Sequence, residues 1–153
     1  QAYHHPAGHP FSPALMQHLP APADRQTEMG WEIYPQGLTD LLLRLSQDYH
    51  PRKMYITENG ASYTDQLDAS GRIIDQRRID YFISHLEAVH KAIQAGAPVE
   101  GYIAWSFMDN FEWKHGYSQR FGLVDVNFET QKRTPRESAY WFSRVIKENG
   151  FQK

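Results

Sequence analysis

The chain contains no cysteine, which excludes a disulfide scaffold and a zinc–thiolate centre and fits a reducing compartment. It has no apolar run approaching the roughly 20 residues that cross a bilayer, so no membrane partner is expected. Charge of one sign is missing as well: 16 Lys+Arg stand against 18 Asp+Glu, a formal net charge of -2. That balance gives no reason to expect nucleic acid or an anionic surface as a partner. There is no glycine-rich phosphate loop of the Walker or dinucleotide type, and no cofactor is implied. These absences are compatible with a cytoplasmic protein.

What is present is globular: 41% apolar and 22% charged residues in 153. That length suffices for one domain, since domains commonly run about 100–200 residues. Aromatics are abundant, with 9 Tyr, 8 Phe and 4 Trp. The 8 His do not read as a metal site. His4, His5 and His9 lie in a Pro-rich opening without Cys or carboxylate at ligand spacing. His85 and His90 are five apart, a poor spacing for joint ligation from one helix.

Residues 1–34 read as an irregular loop, because Pro6, Pro10, Pro13, Pro20 and Pro22 interrupt any helical period. A helix is expected over 35–49. Pro35 suits its first turn, Leu38, Leu41, Leu42 and Leu45 form an apolar stripe, and Pro51 ends it. A strand follows over 53–58, and Asn59-Gly60 after it is a turn signal. The next helix, 75–95, takes Asp75 as its N-cap and stops at Gly96 and Pro98. Its face is Ile79, Phe82, Ile83, Leu86, Val89, His90 and Ile93. A second strand covers 99–105. Residues 106–133 make a long aromatic loop, within which 121–128 is expected to pair as a hairpin. The last helix, 134–149, opens on Thr134-Pro135-Arg136-Glu137, a capping box with Pro at N1, and stops at Gly150. Strands alternating with amphipathic helices indicate βα units and a parallel sheet. Two strands leave both sheet edges open, so the chain reads as part of a larger α/β structure.

In parallel βα architectures, functional side chains gather at the C-terminal ends of strands and in the loops after them. Glu58 closes the first strand. Period-2 alternation puts it on the face of Met54 and Ile56. A carboxylate there is either functional or held in a structural ion pair, and the residues alone weigh these equally. In Trp105-Ser106-Phe107-Met108-Asp109-Asn110-Phe111-Glu112-Trp113, two indoles bracket acidic and amide residues. Indole faces stack on the C–H face of a sugar ring, and carboxylates accept from its hydroxyls. Packing is the ordinary role of loop aromatics, yet Glu112 beside Trp113 is awkward for packing alone.

The run Tyr55-Ile56-Thr57-Glu58-Asn59-Gly60, followed by Ala104 to Trp113, closely resembles glycoside hydrolase family 1, the β-glucosidase family. The resemblance continues through Gly116-Tyr117, Arg120-Phe121-Gly122-Leu123, Thr134-Pro135 and Ser138-Ala139-Tyr140-Trp141-Phe142. It reaches back to Met29-Gly30-Trp31-Glu32-Ile33-Tyr34-Pro35 and covers about residues 25–150. A lone Thr-Glu-Asn-Gly is a weak signal, whereas the ordered set at these spacings is specific. The resemblance implies an α/β fold: the C-terminal part of a (β/α)8 TIM barrel, incomplete in this chain, since the whole barrel typically needs roughly 250 residues. On that footing residues 1–153 belong to one catalytic domain. Helix 35–49 is helix 6, 53–58 strand 7, 75–95 helix 7, 99–105 strand 8, 106–133 the sugar-binding loop and 134–149 helix 8.

It further implies a retaining β-glycosidase, without cofactor or metal, that hydrolyses terminal β-D-glycosyl residues. Glu58 matches the nucleophile, which forms a covalent glycosyl-enzyme. Glu112 matches the residue that receives the outer hydroxyls O4 and O6, and Trp113 a hydroxyl-contacting indole. Trp105 matches the floor under the glycone ring, Phe121 an aromatic wall and Trp31 an aromatic at the aglycone entrance. Trp105-Ser106 matches a non-proline cis peptide. Relatives acting on 6-phosphorylated sugars lack a carboxylate at the position of Glu112, so the implied substrate is an unphosphorylated β-glucoside or related β-glycoside. Retaining hydrolysis needs two carboxyl groups about 5–5.5 Å apart. The family's acid/base Glu lies on strand 4 in a motif absent here, and Glu112 is the wrong stand-in. The missing N-terminal part of the barrel is therefore the second expected partner, and this chain by itself is expected to be inactive. The rival reading is a catalytically silent carbohydrate-binding or interaction protein on the same fold, which the intact Thr57-Glu58-Asn59-Gly60 disfavours.

Overall fold

Pro35 begins helix α1 (Pro35–Tyr49), where its missing N–H is no loss. His50 ends it in the left-handed region (φ 46), ahead of Pro51. The computed structural model describes residues 21–152 together with the backbone of two short strands, β1 (Tyr3–His4) and β2 (Gln17–His18). These two pair antiparallel, and a 3-10 turn spans Ala23–Arg25, so the opening segment is not the continuous irregular loop expected. His5 and His9 lie outside the described residues, as does the side chain of His4.

Strand β3 (Met54–Asn59) runs parallel to β4 (Val99–Ala104), and α2 (Gln76–Gln94) is the crossover between them. The apolar face of the pair is covered from one side. Leu42 of α1, Val89 and Ala92 of α2, and Ala97 form a buried cluster on which Met54, Ile56, Val99 and Tyr102 pack. Leu41 falls off this face and is exposed, while Leu43 joins it. Thr39 is buried instead, and its hydroxyl donates to the Ala88 carbonyl at 2.9 Å, tying α1 to α2. On α2, His85 is buried where the stripe pointed to His90. The other face of the strand pair is open, with Tyr55 and Ile103 both more than half exposed. Among the described residues no barrel closes around it.

The last helix starts later than its capping box implied. Residues Arg133–Pro135 form strand β6, antiparallel to β5 (Val124–Val126), so the 121–128 segment finds its partner outside itself. Helix α3 runs Glu137–Glu148 with Arg136 at its N-cap and no side-chain cap bond from its own flank. A distant carboxylate supplies the cap. Asp75 accepts from the Ser138 N–H at 2.8 Å and the Ser138 hydroxyl at 2.5 Å. Asp75 is the N-cap residue of α2 but makes no side-chain cap bond there, and its carboxylate serves α3 instead, while Thr134 is paired with Asp125 in the β5–β6 ladder. The left-handed residue at the far end is Asn149 (φ 49) rather than Gly150.

Two arginines at most 1% exposed hold the loops to this frame. Arg78 donates to Asp75 at 2.6 Å, to Asp65 at 2.8 Å and to the Arg120 carbonyl at 2.7 Å. Arg136 forks onto Asp109 at 3.1 and 2.9 Å and also reaches the Gly122 carbonyl and Asp125. Asp109 in turn accepts from the Gly122 and Val126 N–H groups.

Replacing Arg136 by Leu leaves the buried Asp109 charge with only the longer Arg120 contact at 3.4 Å and two backbone N–H donors, and stability should fall by about 3 kcal/mol, read from the urea midpoint. A second outcome follows from His85, whose pKa burial lowers against the opposing hydrogen bond to the Tyr81 carbonyl. The folded form favours neutral imidazole, so this contribution is present above the unfolded value of about 6.5 and is lost as pH falls through it. His85→Gln should flatten the loss of unfolding free energy between pH 7 and pH 5.

Candidate active site

The C-terminal ends of β3 and β4 carry the chemistry-bearing side chains. Register shifts between Ile56 and Asn59, which pair with Tyr102 and Ala104: three steps on one strand oppose two on the other. This bulge reverses the alternation. Asn59 turns toward the helices, where it accepts from the Tyr102 hydroxyl and donates to Tyr81. Glu58 is exposed, not aligned with the Met54–Ile56 row as strict period-2 reading required. Asn59-Gly60 is correspondingly no turn. Asn59 ends the strand, and its carbonyl accepts the Trp105 N–H at 2.8 Å. Gly60 is obligatory there, since a Cβ would sit 1.6 Å from the Trp105 carbonyl oxygen.

The loop after β4 is stapled to residues 121–124. The Ser106 N–H donates to the Phe121 carbonyl at 3.2 Å, and the Leu123 N–H to the Ser106 carbonyl at 2.8 Å. The Trp105–Ser106 peptide is cis. Gly122 has backbone of Met108, Asp109 and Val124 within 2.6 Å of where its Cβ would lie, so no side chain fits. Farther along, the Glu112 N–H donates to the Gly116 carbonyl at 2.7 Å around a 3-10 turn, Trp113–His115. This turn leaves Trp113 82% exposed and Glu112 half-buried. Trp31 comes from the opening segment. It is fixed because Glu28 accepts both the N–H and the hydroxyl of Thr64 at 2.7 Å, and its ring lies 6.1 Å from that of Phe121.

A cleft of about 350 Å³ results. All six sequence candidates line it: Glu58, Trp105, Glu112, Trp113, Phe121 and Trp31. Tyr81 of α2 lines it too; it lies off the apolar stripe of that helix and in none of the family motifs, so no signal in the sequence singles it out. Burial pushes the Tyr81 phenol up to about 12, with the Asn59 hydrogen bond acting the other way. The arrangement places two carboxylates among aromatic faces, which suits a ring carrying hydroxyls on its edge and C–H bonds on its faces. A larger groove of about 820 Å³ lies between α2, β4 and α3. It is lined by Val99, Glu100 and Gly101 from the start of β4, at the opposite end of the strands from Glu58. Among the described residues no three His, Asp or Glu side chains are placed to hold a metal ion, and no helix is long and apolar enough to cross a membrane.

The chain is similar to known proteins over most of its length. It is 51% identical over 125 residues to the 1,4-beta-D-glucan glucohydrolase of Thermotoga neapolitana, covering 82% of this chain and 28% of that protein. It is 50% identical over 121 residues to a 6-phospho-beta-galactosidase of Leptotrichia buccalis, covering 78% of this chain and 26% of the relative. The solved family 1 b-glucosidase from Thermotoga maritima in complex with isofagomine lactam superposes with a TM-score of 0.88 at 45% identity, over 92% of this chain and 32% of that one. The chain thus spans less than a third of the length of the proteins it matches. The model of glycosyl hydrolase family 1 matches residues 9–151, and with the relatives this shows that the chain belongs to glycosyl hydrolase family 1.

Proposed function

We propose that this chain supplies the nucleophile and the glycone-binding loop of a retaining β-glycosidase of the β-glucosidase type. The observation that carries the reading is the convergence of Glu58, Glu112 and three tryptophans on one cleft at the C-terminal ends of two parallel strands. The remaining strands of the (β/α)8 barrel, and the acid/base carboxyl, come from residues outside this chain.

The Glu58 carboxylate attacks the anomeric carbon, forming a C–O bond to the enzyme as the bond to the aglycone oxygen breaks. The leaving oxygen takes a proton from the acid/base carboxyl. That group then takes a proton from water, which displaces Glu58 and releases the sugar. Trp105 and Phe121 offer apolar faces to the glycone ring. Glu112 accepts its outer hydroxyls with Trp113 beside it, and Trp31 borders the aglycone. The relatives include both glucosidase-type and phospho-galactosidase-type enzymes at nearly equal identity, so overall similarity does not choose between them. Glu112 does: its carboxylate repels a 6-phosphate and accepts from a free hydroxyl.

The test is a hybrid in which this 153-residue chain replaces the matching part of the Thermotoga maritima β-glucosidase. It should hydrolyse an aryl β-glucoside, and Glu58→Gln should lower kcat by roughly three orders of magnitude or more. Glu112→Gln should lower kcat/KM about 10- to 100-fold, the value of a charged hydrogen bond. An active Glu58→Gln hybrid would remove Glu58 from the mechanism. Preference for an aryl 6-phospho-β-galactoside would overturn the substrate class. Sugar binding without turnover by the parent hybrid would favour a catalytically silent carbohydrate-binding protein.

A further inference from the structure

Among the described residues, nothing hydrogen-bonds or ion-pairs with the Glu58 carboxylate. The main chain that carries Glu58 follows the slip of register between Ile56 and Asn59. The Asn59 side chain holds that slip. The Tyr102 hydroxyl donates to Asn59 Oδ1 at 2.6 Å, and Asn59 Nδ2 donates to the Tyr81 hydroxyl oxygen at 3.3 Å. Both phenols are rooted in the frame. Tyr81 stacks on His85 at 3.9 Å and meets Phe82 edge-on, while Tyr102 lies against Phe142 of α3. Burial raises the pKa of both, so Tyr102 stays a neutral donor. The main chain of the same segment is gripped from the other strand, by the Trp105 N–H on the Asn59 carbonyl and by the absence of room beyond hydrogen at Gly60.

We propose that Asn59 is the positioning residue for Glu58: its amide, clamped between Tyr102 and Tyr81, fixes the end of β3 so that the carboxylate faces the cleft. This rests on Glu58 being the nucleophile. Asp at this position keeps the acceptor for Tyr102 but loses the donor toward Tyr81 and adds a charge beside Glu58. Leu removes both bonds. Tyr102→Phe removes one bond from outside the cleft and leaves every lining residue in place.

The experiment follows covalent labelling of the hybrid by a 2-deoxy-2-fluoro-β-glucoside, reading both the rate constant and the final fraction labelled from intact mass. Labelling should slow about fivefold in Tyr102→Phe and about 25-fold or more in Asn59→Leu, while going to completion. KM for an aryl β-glucoside should stay within about twofold in Tyr102→Phe, since Tyr102 does not line the cleft. Unchanged labelling rates in Tyr102→Phe overturn the inference even where Asn59→Leu does not fold. So does a loss confined to the final fraction labelled, because that marks fewer folded molecules rather than a misdirected carboxylate. A parent hybrid that turns over substrate but takes no label on Glu58 overturns the nucleophile reading, and this inference with it.

Discussion

The fork of Arg136 onto Asp109 is the contact on which the rest of the site depends. Asp109 sits in the middle of the loop that begins at Trp105 and ends in Glu112 and Trp113, and it is 4% exposed. One carboxylate takes the guanidinium and the N–H groups of Gly122 and Val126, so three stretches of chain converge on it. Arg78 does the same for the loop after β3 through Asp65 and Asp75. Burying two guanidinium groups is costly, and each is retained only because several acceptors meet it at once. The return is geometric: loops rich in aromatics, which would otherwise collapse into one another, are held apart as walls of a cleft.

Much of this was legible in the amino-acid order. Helices α1 and α2 announce themselves because a 3.6-residue apolar period is bounded by Pro and Gly, features that act locally. The six cleft residues were singled out on the motifs that resemble the family, and the fold places all six around one space. What was not legible depends on partners far away in sequence. The capping box at Thr134 loses to Asp75, 63 residues from Ser138. Leu41 keeps its place in the stripe but not in the core, because α1 rotates to bring Thr39 onto the Ala88 carbonyl. The bulge before Asn59 breaks the alternation on which the facing of Glu58 was argued, and only the register against β4 reveals it.

The open face of the strand pair connects the fold to its role. Parallel strands are ordinarily covered on both sides, yet here Tyr55 and Ile103 face outward. The chain spans less than a third of its relatives, and under the proposed function this face is the inner surface of a barrel completed by other residues. The division of labour then becomes clear. Under the proposed function these residues bring a nucleophile and the groups that grip the glycone, and the complementary part brings the proton donor.

The central claim, that Glu58 is the covalent nucleophile of this cleft, is tested most directly by peptide mapping of the hybrid after trapping with a 2-deoxy-2-fluoro-β-glucoside. The account predicts a single glycosylated peptide spanning Met54–Gly60 with the sugar on Glu58. An adduct on Glu112 or any other side chain, or steady turnover with no adduct, would contradict it.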